Sequence, residues 1–141
     1  MKKHFLLLFA VLAGLLLLSG CRVSGHPLPE GMEESAVLDA GRELVTLLNE
    51  GDWQEVYDRL RSDAQATSSP EAIQTYMEER LSKAGAYTRE EEAMTTGQTI
   101  KDTGEEYGTA VLYCRHEKKS IVYRVAFSTD MELMGIEARV Q

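Results

Sequence analysis

The chain has 141 residues, 43% hydrophobic and 27% charged, with a formal charge of −8. That leaves room for one small domain with a packed core, excludes a second, and sets the composition apart from that of a disordered chain. DNA, RNA or an anionic lipid surface would call for gathered Lys and Arg, and beyond the first twenty residues only the pair Lys118-Lys119 stands together; nucleic acid is not expected as a partner.

Lys2 and Lys3 precede an apolar stretch from Phe5 to Leu18, at about 14 residues too short for the roughly 20 of a spanning helix. It reads as the hydrophobic region of an export signal. The stretch ends Leu18-Ser19-Gly20-Cys21, which resembles the lipobox of bacterial lipoproteins. Small residues there admit the lipoprotein signal peptidase, and the cysteine thiol carries diacylglycerol. Residues 1–20 are therefore expected to be a signal peptide, with Cys21 the lipidated and palmitoylated first residue on the outer side of a bacterial membrane. Two or three acyl chains make such an anchor durable, whereas one holds only marginally. Arg22 is not the Asp that commonly marks inner-membrane retention in two-membrane bacteria, so the outer membrane is open to it in such a cell. Losing residues 1–20 removes Lys2 and Lys3 and no acid, which takes the charge from −8 to −10. With Cys21 lipidated, Cys114 is alone and forms no internal disulfide; after Val111-Leu112-Tyr113 it reads as a small buried hydrophobe.

Residues 21–32, with Gly25, Pro27, Pro29 and Gly31, read as a lipidated tether that also holds His26. From Glu34 to Asn49 the residues Val37, Leu38, Leu44, Val45, Leu47 and Leu48 recur at helical spacing. Gly51 is placed to end that helix, and Asp52 with Glu55 matches a capping box opening a second one, which carries Trp53, Val56, Tyr57 and Leu60 inward. Ser62 to Ser69 reads as a loop. Ser69-Pro70-Glu71 then opens a third helix, to about Lys83, with Gly85 as its stop.

Strand patterns follow. Thr88 to Ile100 is ambiguous, whereas Tyr107–His116 and Ser120–Phe127 predict a hairpin turning at Glu117-Lys118-Lys119. Ser128-Thr129-Asp130 turns into a last strand in which Met134, Ile136, Ala138 and Val140 alternate with Glu137 and Arg139. Helices first and consecutive strands afterwards predict an α+β domain over residues 33–141, two or three N-terminal helices packed on an antiparallel sheet of about four strands.

The order of elements, the segment Leu47-Leu48-Asn49-Glu50-Gly51-Asp52-Trp53, and the ending Phe127-Ser128-Thr129-Asp130 through Gly135-Ile136 resemble bacterial domain of unknown function 3887. That resemblance implies membership of the nuclear-transport-factor-2-like superfamily of cone-shaped domains, with a curved sheet wrapped around helices and a cavity between them. It implies no activity, since the superfamily holds enzymes, ligand binders and protein-binding modules.

Alternation puts His116 on the face of Ala110, Leu112 and Cys114, at the rim of the cone, where an imidazole could serve as a general base. The plainer reading is a partly exposed histidine at a hairpin turn. Trp53, Tyr57, Tyr76 and Tyr123 could line a pocket with it, or simply be core. Glu90-Glu91-Glu92 fall on alternate strand faces and form no cluster. His4 leaves with the signal, His26 is in the tether and His116 is alone, so no metal or other cofactor is indicated. The leading expectation is a non-enzymatic, membrane-tethered binding or interaction module for an envelope protein or small ligand. One alternative is a small-molecule binder or acid–base enzyme of the cone-shaped superfamily that uses Tyr57 and His116. Another is a self-associating module that forms a homodimer through its sheet.

Overall fold

A computed structural model describes residues 25–141, so the expected export signal and Cys21 lie outside the described residues. The order is α1 (Glu34–Glu50), α2 (Trp53–Arg59), α3 (Ser62–Gln65) and α4 (Pro70–Ala84), then β1 (Tyr87–Thr99), β2 (Glu106–His116), β3 (Ser120–Ser128) and β4 (Leu133–Val140). The strands form one open antiparallel sheet in the order β1-β2-β3-β4, and the helices follow one another on one of its faces. This is the α+β arrangement expected from the pattern.

In α1, Val37, Gly41, Leu44, Val45 and Leu48 are buried at three- and four-residue intervals. Gly41 is where the helix touches the sheet, since a Cβ there would lie 2.6 Å from that of Ala110. Gly51 ends α1 in a left-handed conformation with its N–H on the Leu47 carbonyl. The Asp52 side chain then accepts from the Glu55 N–H at 3.3 Å, but the expected capping box is only half formed. The Asp52 N–H goes to the Leu47 carbonyl, and the Glu55 carboxylate pairs with Arg59 at 2.8 Å.

The segment expected as a loop contains the single turn α3, braced because Arg61 reaches both Asp63 at 2.8 Å and Glu105 at 2.9 Å. Helix α4 opens as expected, with Ser69 Oγ accepting from the Ala72 N–H at 3.0 Å and Pro70 in the first turn.

The ambiguous stretch is β1, which slips register against β2 between Tyr87 and Arg89 and again between Glu90 and Glu92. Such bulges add a residue on one strand, break the two-residue alternation and sharpen the twist. That is why the pattern was unreadable there. A further slip falls between Ala126 and Phe127, so Leu133, rather than the expected Met134, pairs with Phe127 and points inward ahead of Ile136, Ala138 and Val140. Leu133 is buried, Met134 half-buried. Tyr123, Leu48, Met77, Leu112 and Ile121 fill the space between helices and sheet.

Part of the segment expected as a tether is docked on the domain. Pro29 is buried, and Leu28 and Met32 pack against the core. Gly97 of β1 and Gly108 of β2 are register partners, and together they leave a notch on the helix-side face. A Cβ on Gly97 would sit 2.0 Å from the Pro27 carbonyl oxygen, and one on Gly108 would sit 2.8 Å from both Leu28 Cδ2 and Met32 Cε. The Gly97 N–H also donates to the His26 carbonyl at 2.9 Å. The folded unit therefore begins near His26 and not at Glu33. Among the described residues no helix is long and apolar enough to cross a membrane.

Candidate functional site

The five aromatic and imidazole candidates do not share one pocket. Trp53 packs half-buried against the core and stands over Gly51, whose Cβ position is 3.6 Å from its ring. Tyr57 is half-buried outside the core cluster rather than on an inward stripe. The seven-residue α2 buries Val56 toward the core, so the turn of helix bearing Tyr57 faces elsewhere. Tyr76 fastens α4 to β4: its hydroxyl accepts from the Ala138 N–H at 3.0 Å and donates to the Ala138 carbonyl at 3.3 Å. The Arg80 guanidinium lies 3.4 Å over its ring, a cation–π contact.

His116 and Tyr123 do come together. Neither is at a rim or partly exposed, since both are fully buried. The hairpin end carrying His116 is covered by the link from α4 to β1: the Lys118 N–H donates to the Ala84 carbonyl at 2.8 Å and the Glu117 N–H to Ala86 at 2.9 Å. His116 Nδ1 lies 2.8 Å from the Gly85 carbonyl. A carbonyl only accepts, so Nδ1 carries the proton, and Nε2 of the neutral ring is left to accept from the Tyr123 hydroxyl at 3.0 Å. Asn49 Nδ2 donates in turn to the Tyr123 oxygen at 3.1 Å and to the Val45 carbonyl at 2.8 Å. Among the described residues no buried side-chain polar atom lacks a partner.

Above this chain of hydrogen bonds, α1 and the β1–β2 face part to form a cleft of about 380 Å³. Val45, Leu112 and Cys114 line its apolar part, and Asn49 and Tyr87 bring polar tips to it. One mouth is clamped by Arg42, whose Nε and Nη2 each donate at 3.0 Å to the two oxygens of Glu90, a forked pairing that fixes both planes. Arg42, Asn49, Tyr87 and Glu90 escaped the sequence reading. Glu90 could have been found, because it opposes Cys114 in register and so faces the helices. Asn49 could not, since only the fold brings it to Tyr123.

Cys114 is 1% exposed, and burial, reinforced by the Glu90 charge, pushes its thiol from 9.0 up to about 11. Burial also raises Tyr123 and Tyr87. A folded value above the unfolded one means that, as pH passes 9, the unfolded chain releases a proton which the folded chain keeps. The contribution is therefore whole below pH 9 and is lost as pH rises toward 11. Urea unfolding between about pH 8 and about pH 10.5 should show the midpoint falling, and Cys114→Ala should flatten the early part of the fall. A midpoint unchanged over that range would contradict the burial of these groups.

Among the described residues no three His, Cys, Asp or Glu side chains gather to hold a metal. The opposite, helix-free face of the sheet carries a wider groove of about 680 Å³, whose walls include Tyr107, Tyr113, Arg124, Glu137 and Arg139.

A bulged antiparallel sheet with helices on one side and a cleft at their junction defines a small α+β domain of unknown activity. The chain belongs to the family described as "Protein of unknown function (DUF3887)", which matches residues 41–136. It is similar to the protein from Ruminococcus gnavus ATCC 29149 solved by NMR, at 25% identity and a TM-score of 0.66, over 78% of this chain and 94% of that one. Curated proteins offer no matching relative.

Proposed function

We propose that the protein is a lipid-anchored extracytoplasmic lipoprotein of the nuclear-transport-factor-2-like class, whose domain binds a small ligand in the cleft between α1 and β1 and does not transform it. The observation that carries binding over catalysis is the closed hydrogen-bond chain beneath the cleft. His116 has both ring nitrogens engaged by Gly85 and Tyr123, and the raised Cys114 thiol is a poor nucleophile at neutral pH. A general base or nucleophile needs a free lone pair aimed at the substrate. Apolar walls of Val45 and Leu112 with the polar tips of Asn49 and Tyr87 suit a largely apolar ligand with one hydrogen-bonding end. The run Leu18-Ser19-Gly20-Cys21 after a short apolar stretch supports the anchor, and helices on one face of a bulged sheet support the superfamily.

Two measurements test this. In cells fed labelled palmitate, the wild-type chain should take up label and Cys21→Ser should take up none and remain unprocessed; equal labelling would refute the anchor. For the cleft, a fragment library screened by NMR should shift the amides of Val45, Asn49 and Cys114. Thr46→Trp, a substitution at an exposed cleft position, should abolish those shifts while leaving the rest of the spectrum intact. Hits that ignore the cleft, or that survive its plugging, would overturn the assignment.

A further inference from the structure

The β4 edge of the sheet is closed at two places and open between them. At its start the Leu133 carbonyl accepts from the Arg61 N–H at 2.8 Å. Further along, the Ala138 N–H donates to the Tyr76 hydroxyl at 3.0 Å, and the Ala138 carbonyl accepts from Arg80 Nε at 2.7 Å. Both backbone groups of Ala138 therefore point away from β3. In an antiparallel ladder that direction returns at every second residue, so Ile136, opposite Val125 in register, also turns its N–H and carbonyl outward. Among the described residues nothing outside the sheet bonds to either.

Beside this open stretch, the helices leave a cavity of about 350 Å³ with apolar walls from Val56 and Leu60 at the α2 end, Ile73 and Met77 on α4, and Ile136 itself. It shares no lining residue with the cleft between α1 and β1. Gly135 and Ile136 stand between this cavity and the groove on the helix-free face, and line both. Every other described glycine either has a positive φ or would set a Cβ within 3.0 Å of a neighbour; Gly135 does neither. A strand glycine that its own fold does not require marks a place where another backbone can come close.

We infer that the β4 edge at Gly135-Ile136 takes a short extended peptide, one residue of which pairs with Ile136 and puts a large apolar side chain into the cavity between α2 and α4. An outward N–H and carbonyl on one strand residue are matched together by a residue of extended backbone running antiparallel, which exchanges both hydrogen bonds. Directly opposed residues send their side chains to the same face, and for Ile136 that is the inner face, where the cavity lies. The stops at Leu133 and Ala138 leave room for about three residues at strand spacing. A second copy's β4 carries the same stops and cannot pair along its length, and the chain's own N-terminal segment is docked on β1, at the opposite edge.

The probe is the blocked peptide acetyl-Ala-Leu-Ala-amide, titrated into the soluble domain from Gly25 onward and followed by NMR. The amides of Gly135, Ile136 and Ile73 should shift saturably, and acetyl-Ala-Gly-Ala-amide, which offers backbone without the side chain, should bind about tenfold more weakly or worse. Ile136→Pro removes the outward N–H at an edge position where proline is tolerated, and should weaken binding about tenfold, while Ile136→Val, which keeps the N–H, should stay within about threefold. Ala72→Trp, at an exposed position lining the cavity, should abolish the shifts with the rest of the spectrum intact, and it guards against misfolding of the proline variant. Thr46→Trp, which plugs the other cleft, should leave peptide binding unchanged, so failure of one site is told apart from failure of the other. Absence of saturable shifts at Ile136, equal binding of the leucine and glycine peptides, or binding that survives both Ile136→Pro and Ala72→Trp overturns the inference. So do shifts at Gly135 and Ile136 that grow with protein concentration in the absence of peptide, the mark of a second copy on this edge.

Discussion

Substituting His116 with alanine should lower the stability of the domain by about 3–5 kcal/mol, a large share of the roughly 5–15 available to a domain of this size. Two losses combine. The imidazole is fully buried among Tyr123, Leu112 and Cys114 on the helix-side face, so its removal leaves a cavity that the surrounding sheet closes only in part. It also leaves the Gly85 carbonyl without its side-chain donor and the Tyr123 hydroxyl without its acceptor. Tyr123→Phe is the milder companion. It keeps the ring and removes one hydroxyl, leaving His116 Nε2 and one Asn49 donor unmatched, at about 1–2 kcal/mol. Because both substitutions break the same hydrogen bond, the double variant should cost less than the two singles summed. Urea unfolding of the four chains measures this; strict additivity, or a loss below about 1 kcal/mol in His116→Ala, would mean that the chain of hydrogen bonds does not hold the hairpin to the α4 end.

Gly97→Val should expel the N-terminal segment. The new Cβ would fall 2.0 Å from the Pro27 carbonyl oxygen, a backbone atom that cannot swing aside. Losing the apolar contacts of Leu28, Pro29 and Met32 costs about 2–4 kcal/mol for partly buried side chains. Valine's better fit to a strand returns about 1 kcal/mol at most, so destabilisation wins. The sharper readout is proteolysis: residues 25–32 should become cleavable under conditions where the wild-type chain is protected. Gly108→Ala is the control, because its Cβ would meet only the flexible ends of Leu28 and Met32 and should cost under about 1 kcal/mol. Equal protection of the segment in wild type and Gly97→Val would show that the notch does not hold it.

Regular stretches were readable from the chain alone. The spacing of Val37, Leu44 and Leu48, the stop at Gly51 and the Ser69-Pro70 start are local signals, and α1 and α4 follow them closely. Legibility failed wherever the local signal and the tertiary partner disagreed. Bulges blurred β1 and moved the inward place from Met134 to Leu133. The Pro- and Gly-containing segment before Glu33 resembled a linker, because the surface it packs on exists only once Gly97 and Gly108 are paired across two strands. His116 resembled a turn residue, because its cover comes from a link thirty-one positions earlier in the chain.

The sequence by itself determined the export signal pattern, the acidic balance, the order of helices and strands and the inward faces of the regular elements, because these depend on neighbours within a few positions. Only the tertiary structure decided that His116, Tyr123 and Asn49 form one network, that the N-terminal segment is docked, and that four arginines share a face. Along the chain Arg89, Arg115, Arg124 and Arg139 are isolated charges, and no basic cluster was expected from them. Antiparallel register sets neighbouring strands about 5 Å apart and sends alternate side chains to the same side. That geometry gathers charges scattered along the chain, four arginines and the glutamates that pair with them, onto one surface.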